Sequence, residues 1–205
     1  MTMAQKYGLA IHTGSPELGF AIDDGQGDRR SMAWDLGRDA SNQLHQCLSE
    51  FLPPQDWQAL AYIAVAIGPG GFTGTRLGVV LGRTLAQQLD LPLFGVSSLV
   101  AIAASMAQSD QPIAVQMPAQ RGELHGGIYQ FHNAANYKIL QADGIFTPAS
   151  WETALAAVPE VLRHEASPAQ GRYAAALLTI TRNAYISGDR PHWSTVLPYY
   201  GQQPV

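Results

Sequence analysis

The chain has 205 residues, 46% of them hydrophobic and 14% charged, a balance that excludes a disordered or low-complexity polypeptide. Its net charge of -4, with Lys6 and Lys138 the only lysines, argues against autonomous binding to a phosphate backbone. The single cysteine, Cys47, excludes a disulfide framework and a cysteine metal cluster. No apolar run reaches the roughly 18 residues that span a bilayer, and Met1-Thr-Met-Ala-Gln-Lys-Tyr7 lacks a basic-then-apolar signal pattern. A soluble, cytoplasmic protein with no membrane partner is expected.

Tyr7 to His12 is a β-prone run closed by the turn cluster Thr13-Gly-Ser-Pro16. Gly19 to Asp23 alternates into a second strand, Asp24-Gly-Gln-Gly-Asp28 turns the chain back, and Ser31 to Asp35 gives a third. Three strands on short turns predict an antiparallel meander. The period then changes: Leu44, Cys47, Leu48 and Phe51 form one apolar stripe on a helix over 40–52. Asp39 or Ser41 can cap that helix, and Pro53-Pro54 stops it. Ile63 to Ile67 suits a strand buried on both faces. A long helix over 73–89, a buried strand from Leu93 to Val96 and a Ser97-capped helix through Ala107 follow. The order predicts an α/β fold whose mixed sheet starts antiparallel and continues parallel.

Polar residues at Gln108-Ser-Asp-Gln-Pro112 divide the chain into an N-terminal unit, 1–108, and a smaller C-terminal unit, 109–205. In the latter, Ile113 to Met117, Gly127 to Phe131 and Tyr137 to Leu140 read as strands, and Ala149 to Val158 and Gly171 to Ile186 as helices. With under a hundred residues, this unit is expected to lean on the first.

The most informative stretch is Gly68-Pro-Gly-Gly-Phe-Thr-Gly-Thr-Arg-Leu-Gly78. It joins a buried strand to a helix start, where unpaired N–H groups and the helix dipole can cradle an anion. Gly70, Gly71 and Thr73 are the candidate anion or nucleotide contacts. No Gly-Lys-Ser/Thr triplet follows, so it is not a P-loop, and a tight turn requiring positive φ explains it as well. Along the helix, Gly74, Gly78, Gly82 and Ala86 recur every four residues and leave one face nearly bare. Each interior glycine forgoes about 1 kcal/mol of helix propensity, which close approach of another backbone would offset. That neighbour is either a segment of this chain or a partner protein, with Arg76 and Arg83 at the rim.

No catalytic set is visible. His12, His45, His125, His132, His164 and His192 form no HExxH and no i, i+4 pair. Asp23, Asp24 and Asp28 lie in a hairpin turn, and Glu123 is the one acid expected beside an inter-domain cleft. There is no Gly-x-Ser-x-Gly elbow.

Leu9-Ala-Ile-His-Thr13, Ile67-Gly-Pro-Gly-Gly-Phe-Thr-Gly-Thr-Arg-Leu-Gly78 and Leu93-Phe-Gly-Val-Ser-Ser-Leu99 resemble the bacterial TsaB (YeaZ) family. Gln120-Arg-Gly-Glu-Leu-His125 and Leu197-Pro-Tyr-Tyr200 are similar to its second-domain and closing motifs. The resemblance covers residue 7 to about 107 best. It implies an actin-like ATPase (ASKHA) fold of two RNase H-like halves, the second shortened here. It also implies a non-catalytic scaffold role, without enzymatic activity of its own, in making N6-threonylcarbamoyladenosine at position 37 of tRNAs reading ANN codons. The implied partners are a catalytic TsaD-type paralogue and a TsaE-type ATPase, with tRNA met only through the complex. The implied contact is a helix bundle built from 40–52 and 73–89, through Leu44, Leu48, Thr73, Gly74, Arg76, Gly78, Gly82 and Arg83. A homodimer through the same helices is the other assembly. No cofactor or metal is expected, except ATP or ADP at the partner interface. The family's first-strand aspartate is His12 here, and Pro118 replaces a second aspartate. The alternative reading is a nucleotide-dependent phosphotransferase or a glycoprotease-like peptidase of the same superfamily.

Overall fold

A computed structural model describes residues 6–133 and 136–199; the readings of Met1 to Gln5 and of Tyr200 lie outside the described residues. Among these residues, nine strands and five α-helices follow in chain order. The first sheet has the order β3-β2-β1-β4-β5. In it β1 (Tyr7–His12), β2 (Glu17–Asp23) and β3 (Arg29–Asp35) are the antiparallel meander, and β4 (Leu60–Gly68) and β5 (Leu93–Ser97) continue it in parallel. The second sheet has the order β8-β7-β6-β9, built from β6 (Ile113–Pro118), β7 (Leu124–Asn133), β8 (Asn136–Phe146) and β9 (Leu162–Glu165). Both sheets are mixed and flanked by helices, as the α/β reading requires.

Alternation along β1 sends Leu9 and Ile11 to one face, where they join Leu44, Cys47, Leu48 and Phe51 of α1 (Ala40–Phe51) and Val79 and Ala86 of α2 (Phe72–Leu89). Ala10 faces the other way, toward α3 (Ser98–Met106) and α5 (Ala174–Ile186). The α3 sequence is apolar all round, so it buries on every side. It lies between the sheets, touching Ile113, Val115, Tyr129 and Phe131 of the second. Beneath that sheet's outer face, Trp151 and Leu155 of α4 (Pro148–Ala156) pack on Ala114 and Ile128. Helix α5 packs on β1, β2 and β4 of the first sheet. The segment 191–199 then runs beside β5: Leu93 N donates to Pro191 O at 3.1 Å, and Tyr199 N to Ile67 O at 2.7 Å. No helix among the described residues is long and apolar enough to cross a membrane.

Two local expectations need correction. Asp39 occupies the N-cap of α1, yet neither it nor Ser41 caps with a side chain, because a 3-10 turn at Gly37–Asp39 leads directly into the helix. The other end is held by Arg30, whose guanidinium donates to the carbonyls of Phe51 at 2.8 Å and Leu52 at 2.7 Å. Strand β9 adds an element that the sequence pattern does not predict. Leu162-Arg-His-Glu165 has no apolar alternation, and main-chain pairing with β6 makes it a strand.

Candidate functional site

Strand β4 ends at Gly68, whose φ of 104° supplies the left-handed turn expected of the glycine segment. The other glycines act through close approach. A Cβ on Gly70 would stand 2.5 Å from Gly14 O, and one on Gly74 2.1 Å from Thr13 O. The loop and the first turn of α2 therefore lie backbone to backbone on the β1–β2 turn. Gly71 N donates to Gly14 O at 2.7 Å, and Thr13 Oγ1 donates to Gly74 O at 2.7 Å.

The bare face of α2 is closed from inside the chain, which corrects the interface reading of its glycines. A Cβ on Gly78 would meet Thr13 Oγ1 at 2.1 Å, and one on Gly82 would meet Leu93 Cδ1 at 3.3 Å and Val65 Cβ at 3.5 Å. Gly78 and Gly82 are buried and Gly74 is half-buried. Leu44 and Leu48 are 1% and 3% exposed within the core; the apolar stripe of α1 packs on its own sheet, so neither side chain can meet a partner. Of the residues expected at an interface, Thr73 and Arg76 are exposed and Arg83 is half-buried.

The outward face of α2 is a different set. Phe72 is 56% and Val80 59% exposed, with the Arg76 guanidinium 5.2 Å from the Phe72 ring centre. One turn beyond Val80, Arg83 lies 5.5 Å over the Trp193 ring. Arg76, Val80, Arg83, Gln87, Trp193 and Pro198 line a groove of about 360 Å³. Phe72, Arg76 and Val80 stand at i, i+4 and i+8, a spacing visible in the sequence but overshadowed by the glycines.

At the N-terminal end of α2 a cleft of about 640 Å³ separates the β1–β2 turn and the starts of both helices from the second half. Gly71, Phe72, Thr73 and Gly74 line one side; Met117, Pro168 and Gln170 face them. Gly70 does not line it, and the Gly71 N–H is already spent on Gly14, so the anion cradle keeps Thr73 as its one contact not committed elsewhere in this way. Arg38 is the only charged side chain lining the cleft among the described residues, and Arg76 lies outside it. Among the described residues no carboxylate lines the cleft to hold a nucleotide-bound metal, and the lining does not fit a metal–nucleotide complex.

His12 lies fully buried at the end of β1, and neither ring nitrogen has a partner among the described residues. Burial holds its pKa down to about 4, despite the nearby Glu17 carboxylate, so the ring is neutral at pH 7. Thr75 Oγ1 and Gln170 Oε1 are also buried without partners.

A second polar cluster, which no sequence motif marks, gathers around Asp143. The Asp143 carboxylate on β8 accepts from the Ser97 and Tyr129 hydroxyls, and the Tyr199 hydroxyl donates to the Asp143 carbonyl at 3.2 Å. Ser97 Oγ also accepts from Leu99 N at 3.1 Å and Val100 N at 3.3 Å, as the predicted cap of α3. Burial, and then the Asp143 charge, push the Tyr129 hydroxyl well above its ordinary pKa. Ser97→Ala removes the cap and one clasp on a carboxylate, and should lower stability by about 2 kcal/mol in urea unfolding. Glu123 does not line the cleft. No group of three or more His, Cys, Asp or Glu side chains among the described residues is placed to hold a metal ion.

A family model described as TsaD, tRNA N6-adenosine threonylcarbamoyltransferase, matches residues 38–186. The tRNA threonylcarbamoyladenosine biosynthesis protein TsaB of Bacillus subtilis is 38% identical over 109 residues, covering 53% of this chain and 46% of that protein. The TsaB of Escherichia coli is 36% identical over 77 residues, covering 37% of this chain and 32% of that protein. The matches thus span less than half the length of these curated relatives. YeaZ from Pseudomonas aeruginosa has a TM-score of 0.76 at 20% identity, over 95% of this chain and 99% of that one. A further P. aeruginosa protein, described as uncharacterised with similarity to peptidase YeaZ, gives 0.79 at 21% identity, over 96% and 100%. These two likenesses show a shared fold.

Proposed function

The chain belongs to the TsaD, tRNA N6-adenosine threonylcarbamoyltransferase, family, and from that premise we propose that it serves tRNA threonylcarbamoyladenosine biosynthesis as a non-catalytic subunit. Its partner is a catalytic TsaD-type paralogue; a TsaE-type ATPase and tRNA are reached through that complex. The names of the TsaB relatives support the pathway. The buried, uncharged His12 and a cleft whose lining, among the described residues, holds no carboxylate support the non-catalytic role.

The observation that carries the partner assignment is the outward face of α2. Two large apolar side chains, Phe72 and Val80, stand more than half exposed beside Arg76 and Arg83. An apolar centre with arginines and an aromatic residue at its rim is the composition of a protein interface. The contact passes through Thr73, Arg76 and Arg83 together with Phe72 and Val80, while the glycines behind them hold the helix to its own sheet. ATP or ADP, if part of the assembly, is bound where the partner adds the charges this cleft lacks.

Light scattering on a sizing column should show a complex of 1:1 stoichiometry when the chain is mixed with its organism's TsaD-type protein. Val80→Glu should weaken that complex at least tenfold, about 1.4 kcal/mol, and leave the melting temperature unchanged. No complex would overturn the subunit reading. ATP binding by the isolated chain would favour the phosphotransferase reading instead.

A further inference from the structure

The two edges of the first sheet are treated differently. At β5 the segment 191–199 covers the edge, with Val196 buried against Gly95. At β3 the only main-chain partner among the described residues is β2. Strand β3 is also the most exposed of the sheet, and Met32 at its centre is 53% exposed. Natural edges are usually blunted by proline, a bulge or a central charge. Arg29-Arg-Ser-Met-Ala-Trp-Asp35 has no proline, pairs with β2 without a register shift, and keeps its three central positions uncharged.

Its charges sit at the ends and have opposite signs. We propose that the free edge of β3 pairs antiparallel with the same edge of a second copy, joining two sheets into one about a two-fold axis at Met32. In that register Arg29 lies opposite Asp35 of the second copy, twice per dimer, Ser31 opposite Ala33, and Met32 opposite itself. Sliding the pairing by one residue pair in either direction loses both contacts between Arg29 and Asp35, so charge selects the register.

The existing neighbours sharpen the match. Asp35 lies directly across from Glu17 on β2, a like-charge pair, and carries no ion pair itself among the described residues. Glu17 is already engaged by Arg172 at 3.1 Å. Arg29 has only a 4.0 Å contact with Asp23, and its side chain is 56% exposed. The second copy supplies the cation that Asp35 lacks. This edge lies beyond β2, whereas α2 packs on β4, β1 and β5, so the assembly leaves the outward face of α2 free.

Sedimentation velocity over a rising concentration series tests this with the intact chain. The chain should dimerise, and Asp35→Arg and Arg29→Asp should each raise the dissociation constant about tenfold or more, with circular dichroism unchanged. Each variant then repels its own kind but complements the other. Mixing the R29D chain with the D35R chain should therefore restore a dimer containing one of each, detected by labelling one chain. Met32→Cys should give an intermolecular disulfide on mild oxidation. A monomer at every concentration would overturn the proposal and leave the edge to a strand of another protein. So would a dimer indifferent to both charge reversals, and so would a mixture that forms no mixed dimer. A dimer lost in V80E but kept in D35R would place self-association on α2 and refute the β3 assignment.

Discussion

Gly78→Leu is expected to prevent stable folding rather than to abolish partner binding selectively. The first atom added to Gly78 already falls 2.1 Å from Thr13 Oγ1, and that hydroxyl is held by its hydrogen bond to Gly74 O. Overpacking typically costs about 1–3 kcal/mol; a full leucine driven into the buried, hydrogen-bonded Thr13 side chain should exceed that range, approaching the whole stability of a small domain, about 5–15 kcal/mol. Gly74→Ala is the smaller version. Its Cβ meets the Thr13 carbonyl at 2.1 Å, so a net loss of about 3 kcal/mol is expected even after the roughly 1 kcal/mol gain in helix propensity. Gly82→Ala is the control. Its neighbours are side-chain atoms of Leu93 and Val65 at 3.3 Å and beyond, so the change should stay within about 1 kcal/mol of neutral. Urea unfolding of the three variants measures this order. Equal, small effects in all three would refute internal packing of the glycine face.

The second large effect is acid sensitivity centred on His12. Its pKa is about 4 in the folded chain against an ordinary 6.5. As pH falls through 6.5 the unfolded chain takes up a proton that the buried imidazole refuses. Stability is therefore full above about pH 6.5 and declines toward pH 4, by about 3 kcal/mol from this one group. Glu17 and Asp24, whose pKa values are held below their ordinary carboxylate values, withdraw their contributions at lower pH still. His12→Leu should flatten the slope between about pH 7 and about pH 4.5. It should cost little at pH 7, because both ring nitrogens it removes lack partners. An unchanged slope in His12→Leu would assign the acid sensitivity elsewhere.

Most of the architecture was legible because it rests on periodicity. The alternating runs at β1 and β2, the stripe Leu44-Cys47-Leu48-Phe51 and the apolar continuity of β4 each encode which face is buried. The glycine face of α2 was legible as a demand for close approach, but spacing along one helix does not say what approaches. Thr13 and Gly14 lie on another element, and only the docking of α2 on β1 and its following turn brings them together. The same limit hid Asp143, whose partners Ser97 and Tyr129 come from distant parts of the chain. Strand β9 was illegible for a different reason, since its order comes from the main chain of β6 and its side chains carry no pattern. Leu44 and Leu48 show the converse error. An apolar stripe announces burial, and the nearest apolar surface was the chain's own sheet.

The fastening of residues 191–199 sets a sequence of events during synthesis. A side chain on Gly68 would run into the Tyr199 carbonyl, the Ile67 carbonyl accepts from the Tyr199 N–H, and among the described residues only this late segment covers the edge of β5. The first sheet, made early, must therefore wait with its β5 edge bare, while α5 and then this segment emerge. Contacts so remote in sequence form slowly, and unpaired strands aggregate meanwhile. A nascent chain stalled before residue 191 would be the form most in need of a chaperone.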